Sequence, residues 1–202
     1  MKHIFARAGG MLLAMTILCG LVYTVAVTGV GQLLFPKQAN GSIIEADGKT
    51  YGSALLGQPF TDEGHLWGRI MNVDTTTFTD ENGNPVLYAW ASNLSPASEE
   101  YDALVAQRVD ALRKANPDMA EAAIPVDLVT GSGSGLDPEI SPAAAAYQVS
   151  RIAQARGMTE DEVQAVIDRY TTDRFLDIFG EARVNVLRVN LALDGILEST
   201  QA

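Results

Sequence analysis

Glycines alternating with hydroxyls are the first residues here that could build a chemical site. Gly131-Ser132-Gly133-Ser134-Gly135 runs into Leu136-Asp137, and the backbone N–H groups of such a loop can cradle a phosphate. A nucleotide-binding loop of the Gly-x4-Gly-Lys-Ser/Thr type needs a lysine to meet the phosphates. Here Leu136 and Asp137 follow Gly135, and a carboxylate repels a phosphate. The run therefore reads as a flexible connection to the next helix. Neither Ser132 nor Ser134 lies in Gly-x-Ser-x-Gly, and no Ser-x-x-Lys pair occurs. One cysteine, Cys19, allows no internal disulfide and no multi-cysteine zinc site, and His3 and His65 are the only histidines. His65 and Trp67 are expected to pack within the domain. No self-contained catalytic or metal centre emerges, so the chain by itself is not read as an enzyme.

The elements that would carry such residues follow from charge and periodicity. The 202 residues are 47% hydrophobic with a net charge of −11, a balance that excludes disorder and disfavours a nucleic-acid partner, which requires a basic stripe. Lys2, Arg7 and Lys37 give residues 1–37 a charge of +3, whereas residues 38–202, with 11 basic and 25 acidic side chains, carry −14. Between Arg7 and Lys37 lie 29 residues without a charge. A helix over 9–35 would be roughly 40 Å long, against a hydrocarbon core of about 30 Å. A cleaved signal peptide and a permanent anchor both begin this way. Thr24-Val25-Ala26 offers a cleavage site, but the apolar run continues past the 7–15 residues usual for a signal peptide, which favours the anchor.

At 100° per residue Gly9, Thr16, Gly20, Thr24, Thr28 and Gly31 share one helix face, a stripe of small residues against which a partner helix can pack. The basic leader favours a cytoplasmic N-terminus and an external body. After Phe35-Pro36 the helix must stop. Residues 38–92 read as strands and turns, with Asn82-Gly83 turning a hairpin. Ser95-Pro96 is expected to cap a helix that ends at Asn116-Pro117, and Ile124–Val129 to form a strand. Ser141-Pro142 should open a helix running to Gly157, and Thr159-Glu160-Asp161-Glu162 is a capping box. Val184 starts a strand that turns helical before Leu197. The fold expected is α+β: a leader (1–8), one transmembrane helix (9–35) and one mixed extracytoplasmic domain (36–202).

Several stretches go further. Gly31-Gln32, Phe35-Pro36-Lys37-Gln38-Ala39-Asn40-Gly41-Ser42, Gly52-Ser53 and Gly57-Gln58-Pro59-Phe60 resemble the segment after the anchor in the C subunit of the potassium-transporting Kdp P-type ATPase, the KdpC family. So do Arg108-Val109, Asn116-Pro117-Asp118, Asn185 and Asn190-Leu191-Ala192-Leu193-Asp194. The most specific stretch holds Ser134, Gly135, Asp137, Gln148 and Arg151. Residues 64–94 depart from the family, reading Trp67-Gly68-Arg69-Ile70 where Gly-Arg-Pro-Ser is usual. The resemblance implies a non-catalytic membrane subunit partnered by a channel-like potassium-binding subunit and a phosphorylated pump subunit. ATP and potassium would belong to the complex, with no cofactor on this chain, although the family has been proposed to assist ATP binding. The chain lacks the Asp-Lys-Thr-Gly that such pumps phosphorylate, and Thr28-Gly29-Val30-Gly31 reads as helix rather than ion filter. The alternative reading is an anchored extracytoplasmic binding module unconnected with pumping.

Overall fold

The computed structural model describes residues 2–197; Met1 of the expected leader and residues 198–202 of the expected domain lie outside them. The chain divides after Ser53 into two compact units, Met1–Ser53 and Ala54–Ala202.

The first unit is built on the apolar run. Helix spans Lys2–Leu34 without interruption, as α1 (Lys2–Met15), a π-helical segment (Thr16–Tyr23) and α2 (Thr24–Leu34). Its His3–Leu34 portion contains an 18-residue window with a mean hydropathy of 2.2 and is long enough to cross a bilayer. The π segment changes the arithmetic of the small-residue stripe. An i→i+5 turn holds more residues than an α turn, so each residue advances by less than 100°. The single line of a uniform α-helix is lost. Gly9 stands on α1, Thr16 and Gly20 in the π segment, and only Thr24, Thr28 and Gly31 keep i, i+4, i+7 spacing on α2. The Thr24 hydroxyl donates to the Cys19 carbonyl five residues back, at 3.1 Å.

Phe35 leaves the helical region at φ −135° because Pro36 follows. Pro36 then opens the short α3 (Pro36–Ala39). The Asn40 and Gln32 amides exchange hydrogen bonds at 3.0 and 3.1 Å, which fixes the exit from the helix. Strands β1 (Ile43–Ala46) and β2 (Lys49–Ser53) pair antiparallel with Ala46 opposite Lys49. The two-residue turn between them, Asp47-Gly48, has positive φ at both positions, as a primed hairpin turn requires.

The second unit holds the core. Its β3 (Asn72–Thr79) and β4 (Pro85–Trp90) form the expected hairpin around Asn82-Gly83. Phe78, Tyr88 and Trp90 stack along it with centroids 5.1 and 5.6 Å apart. Helix α4 (Glu99–Ala115) starts three residues later than expected. Ser95-Pro96 closes a turn instead, and the Ser98 hydroxyl accepts from the Tyr101 N–H at 3.2 Å. The run at 124–129 is not a strand. It holds a single helical turn, α5 (Val126–Val129), set by Pro125 and tied down by Asp127, whose carboxylate accepts from the Ser141 N–H at 2.6 Å.

The helix expected over 141–157 is two, α6 (Pro142–Ala146) and α7 (Val149–Arg156). The break is chemical: the Gln148 side-chain amide donates to the Ala144 carbonyl at 3.1 Å, the acceptor its own N–H would use in a continuous helix. Its N–H goes to Ala145 instead. The capping box of α8 (Glu160–Arg169) is present as read, with both reciprocal bonds formed. Short strands β5 (Glu139–Ile140), β6 (Thr171–Thr172) and β7 (Arg183–Asn185) pair antiparallel in the order β5-β7-β6. From β7 the chain enters α9 (Val186–Leu193). Leu66, Leu112, Leu128, Ile152, Val163, Ile167, Val184 and Val189 fill the core between these elements. With one apolar anchor followed by helices and small sheets, the class is α+β as expected.

The glycine-serine loop is not a loose connection. Gly131 bridges to Ile70, and the Ser132 hydroxyl accepts from the Gly135 N–H at 3.0 Å. Gly135 sits at φ +74°, and a Cβ there would lie 2.3 Å from the Trp90 carbonyl oxygen. Close approach and left-handed backbone both demand glycine. Gly135→Ala is expected to cost about 2–4 kcal/mol, read as a lowered urea midpoint in near-ultraviolet circular dichroism; an unchanged midpoint would contradict this packing.

Candidate functional site

Segment 62–70 crosses the second unit with its main chain gripped by side chains. Gln148 lies where α6 gives way to α7 and turns inward, fully buried. Its carbonyl accepts from the Trp67 N–H at 2.8 Å, and its amide donates to the Trp67 carbonyl at 3.1 Å. Asn190, on α9, does the same to the preceding residue: the Leu66 N–H at 2.8 Å and the Leu66 carbonyl at 3.0 Å. Two carboxamides thus imitate strand partners for consecutive peptide units.

Arg151, on the first turn of α7, carries the charge of this arrangement and is 6% exposed. Nε donates to the Asn116 side-chain oxygen at 3.1 Å. One terminal nitrogen donates to the Asp62 carbonyl at 3.3 Å and to the Glu63 carbonyl. The other donates to the His65 carbonyl at 3.0 Å and to the Gln148 side-chain oxygen at 2.7 Å. All five N–H groups of the guanidinium are used, and its central carbon, Cζ, lies 4.9 Å from the Trp67 ring centre. Burial pushes this guanidinium down to about 10, opposed by the nearby Asp62 and Glu63 charges and reinforced by Arg108; it stays charged at neutral pH. Arg108 is itself shifted down by burial and donates to the Leu128 and Gly68 carbonyls at 3.0 and 2.8 Å.

The edges of the segment are held by hydrogen bonds and ion pairs. The His65 ring lies between Asp62, 2.6 Å from Nδ1, and Asp194, 3.0 Å from Nε2. Arg156 joins Asp194 at 2.6 Å and the Leu193 carbonyl at 2.6 Å. Burial alone would raise both aspartates. Bonds from His65 hold Asp62 below its ordinary value, and bonds from Arg156 and His65 do so for Asp194. At the far end Arg69 reaches Asp137 at 3.2 Å and the Gly131 carbonyl at 2.9 Å.

The five motif residues singled out from the sequence therefore fall into two groups. Gln148 and Arg151 meet around Trp67, while Asp137 meets Arg69, Gly135 meets the end of β4 and Ser134 bonds within the same loop. His65 and Trp67 pack within the domain as expected. In the loop at 131–137 the Ser132 hydroxyl takes the N–H groups of Gly135 and Asp137, and Ser134 takes that of Leu136. The N–H groups of Gly135, Leu136 and Asp137 are thus spent within the loop. The described residues include no cluster of three or more His, Cys, Asp or Glu suited to a metal. What the arrangement does chemically is position a backbone. The sequence reading passed over the gripping role of Asn190 and Asn116, since a carboxamide 124 residues from its acceptor leaves no local signature.

The matching family model is that of the K+-transporting ATPase c chain, KdpC, and it covers residues 5–195. The chain belongs to the KdpC family. Proteins named potassium-transporting ATPase KdpC subunit match it along nearly their whole length. One from Clostridium botulinum (strain Alaska E43 / Type E3) is 58% identical over 98% of each chain. One from Clostridium perfringens (strain ATCC 13124) is 62% identical over 92% of this chain and 93% of the relative. One from Paraburkholderia xenovorans (strain LB400) is 46% identical over 96% and 97%. The resemblance read from the motifs is borne out, and Gln148, Arg151 and Asn190 show how a KdpC-family domain can be tied around a single crossing segment.

Two outcomes are expected. Arg151→Met leaves several carbonyls and Gln148 without their donor and should destabilise the domain by about 3 kcal/mol, seen as a lower urea midpoint at pH 7. Asp62 and Asp194 have lowered folded values, so their stabilisation is complete above the ordinary 3.8 and is lost as pH falls below it. Asp194→Asn should therefore flatten the loss of thermal stability between about pH 4 and pH 2, and a slope equal to the wild type would contradict the ion-pair geometry.

Proposed function

We propose that this chain is the non-catalytic accessory subunit of an ATP-driven, high-affinity potassium importer, where it assembles and stabilises a channel-like potassium-binding subunit and a phosphorylated pump subunit. The observation that carries this reading is the family match over residues 5–195, which takes in the apolar helix as well as the domain. A site built to hold main chain fits a scaffold better than a catalyst. ATP and potassium are bound by the other subunits, and nucleotide contact by this chain has no phosphate-binding residues to support it.

The helix is a single-pass anchor in the cell membrane with its N-terminus cytoplasmic and the domain outside, following the charge of Lys2 and Arg7. ATP would then be on the opposite side of the bilayer from the domain. Thr24, Thr28 and Gly31, with Gly20 one turn before them, form the face on which a partner helix approaches, since small side chains let backbones come close. The −14 charge of residues 38–202 raises the local concentration of cations near the entrance.

Deleting the chain should abolish growth at limiting potassium, and re-expression should restore it. Thr28→Leu should lower co-purification of the chain with the two large subunits in detergent by roughly tenfold. Recovery equal to the wild type would remove the helix-face assignment. ATP hydrolysis by the purified chain alone would overturn the non-catalytic assignment.

A further inference from the structure

The turn between β6 and β7 exposes side chains that a water-facing loop would not carry. Phe175, Leu176, Ile178 and Phe179 are 71%, 68%, 71% and 62% exposed. The turn that presents them is ordered: Phe175 and Phe179 exchange both backbone hydrogen bonds, at 2.8 and 2.9 Å. Leu176 and Asp177 lie at φ +54° and +58°, a region a bulky residue such as leucine seldom enters. Four large apolar groups are thus held away from the domain core in a fixed arrangement.

We propose that the Phe175–Phe179 turn is a docking element that seats in an apolar socket, rimmed by basic side chains, on another integral subunit of the transport complex. The inference rests on the assembly role proposed above. The surroundings of the turn decide among possible occupants. Asp173, Asp177 and Glu181 flank the apolar groups, and Arg174, the basic residue within the turn, is paired with Glu181. A membrane interface is gripped through Trp and Tyr at the headgroup level and through snorkelling Lys and Arg. Between Thr171 and Ala182 there is no Trp, Tyr or Lys. A second copy would bring the same acids face to face, because a two-fold interface apposes identical surfaces. A protein socket with an apolar centre and a cationic rim satisfies both the rings and the carboxylates, as aromatic anchors within polar rims do at interfaces.

The test co-expresses the full-length chain with the two large subunits and purifies through the pump subunit in detergent. Phe175→Ser with Phe179→Ser should reduce recovery of this chain about tenfold or more, with the melting temperature of the isolated variant unchanged. Asp177→Lys, which leaves the apolar groups in place, should also weaken recovery and remove part of its salt sensitivity. A Phe179→Trp emission spectrum should shift to the blue only when the other subunits are present. Undiminished recovery of both variants, with the wild type recovered, overturns the docking role and leaves the assembly role standing. Failure to recover the wild type overturns both. A blue shift in lipid nanodiscs holding this chain alone places the turn in lipid or against a second copy and overturns the socket.

Discussion

A guanidinium stripped of water must find an oxygen for every N–H, and the unit beyond Ser53 is organised around meeting that demand for Arg151. Its five donors reach Asn116, Gln148 and the carbonyls of Asp62, Glu63 and His65. None of these acceptors is a carboxylate, so the charge is solvated by dipoles while Asp62 and Glu63 supply longer-range compensation. An uncompensated buried charge costs several kcal/mol. The arrangement is therefore exacting: α4 delivers Asn116 at its C-terminal end, the break after α6 delivers Gln148, and the crossing segment has one path through them. Trp67 closes the group, its ring close to both Arg151 and Arg108 and its indole N–H donating to the Asp62 carbonyl at 2.7 Å.

What could be read without the structure was local. Thr159 and Glu162 are three residues apart and satisfy each other; Asn82-Gly83 turns a hairpin within a few residues; Phe35-Pro36 ends a helix by steric conflict. Each signal is contained in one stretch of chain. Ser95-Pro96 misled by one turn because Ser98 competes for the same role and has three acids immediately after it to complement the helix dipole. The run 124–129 looked like a strand because its valines and leucine carry no period long enough to decide, and Pro125 and the Asp127–Ser141 bond settled it as helix. The division of the 141–157 helix could not be foreseen, since it depends on Gln148 facing Trp67 across 81 residues. The motif residues were recognisable as a set, but their distribution between two clusters comes only from the fold.

The membrane segment makes a different point about periodicity. A helical wheel assumes constant rotation, and the π turns over Thr16–Tyr23 withdraw that assumption in the middle of the span. The Thr24 hydroxyl on the Cys19 carbonyl gives a polar group in an apolar environment a partner within its own helix. The apolar turn at Phe175–Phe179 escaped the sequence reading for the opposite reason. A short hydrophobic run between two strands has the composition of core, and only its placement shows that it faces outward.

Gln148 and Asn190 bind the peptide groups of Trp67 and Leu66, not the side chains. Every amino acid except proline offers that same donor and acceptor. The hydrogen bonds that fix the chain at these two residues are therefore written into Gln148 and Asn190, not into the side chains that the segment itself carries there.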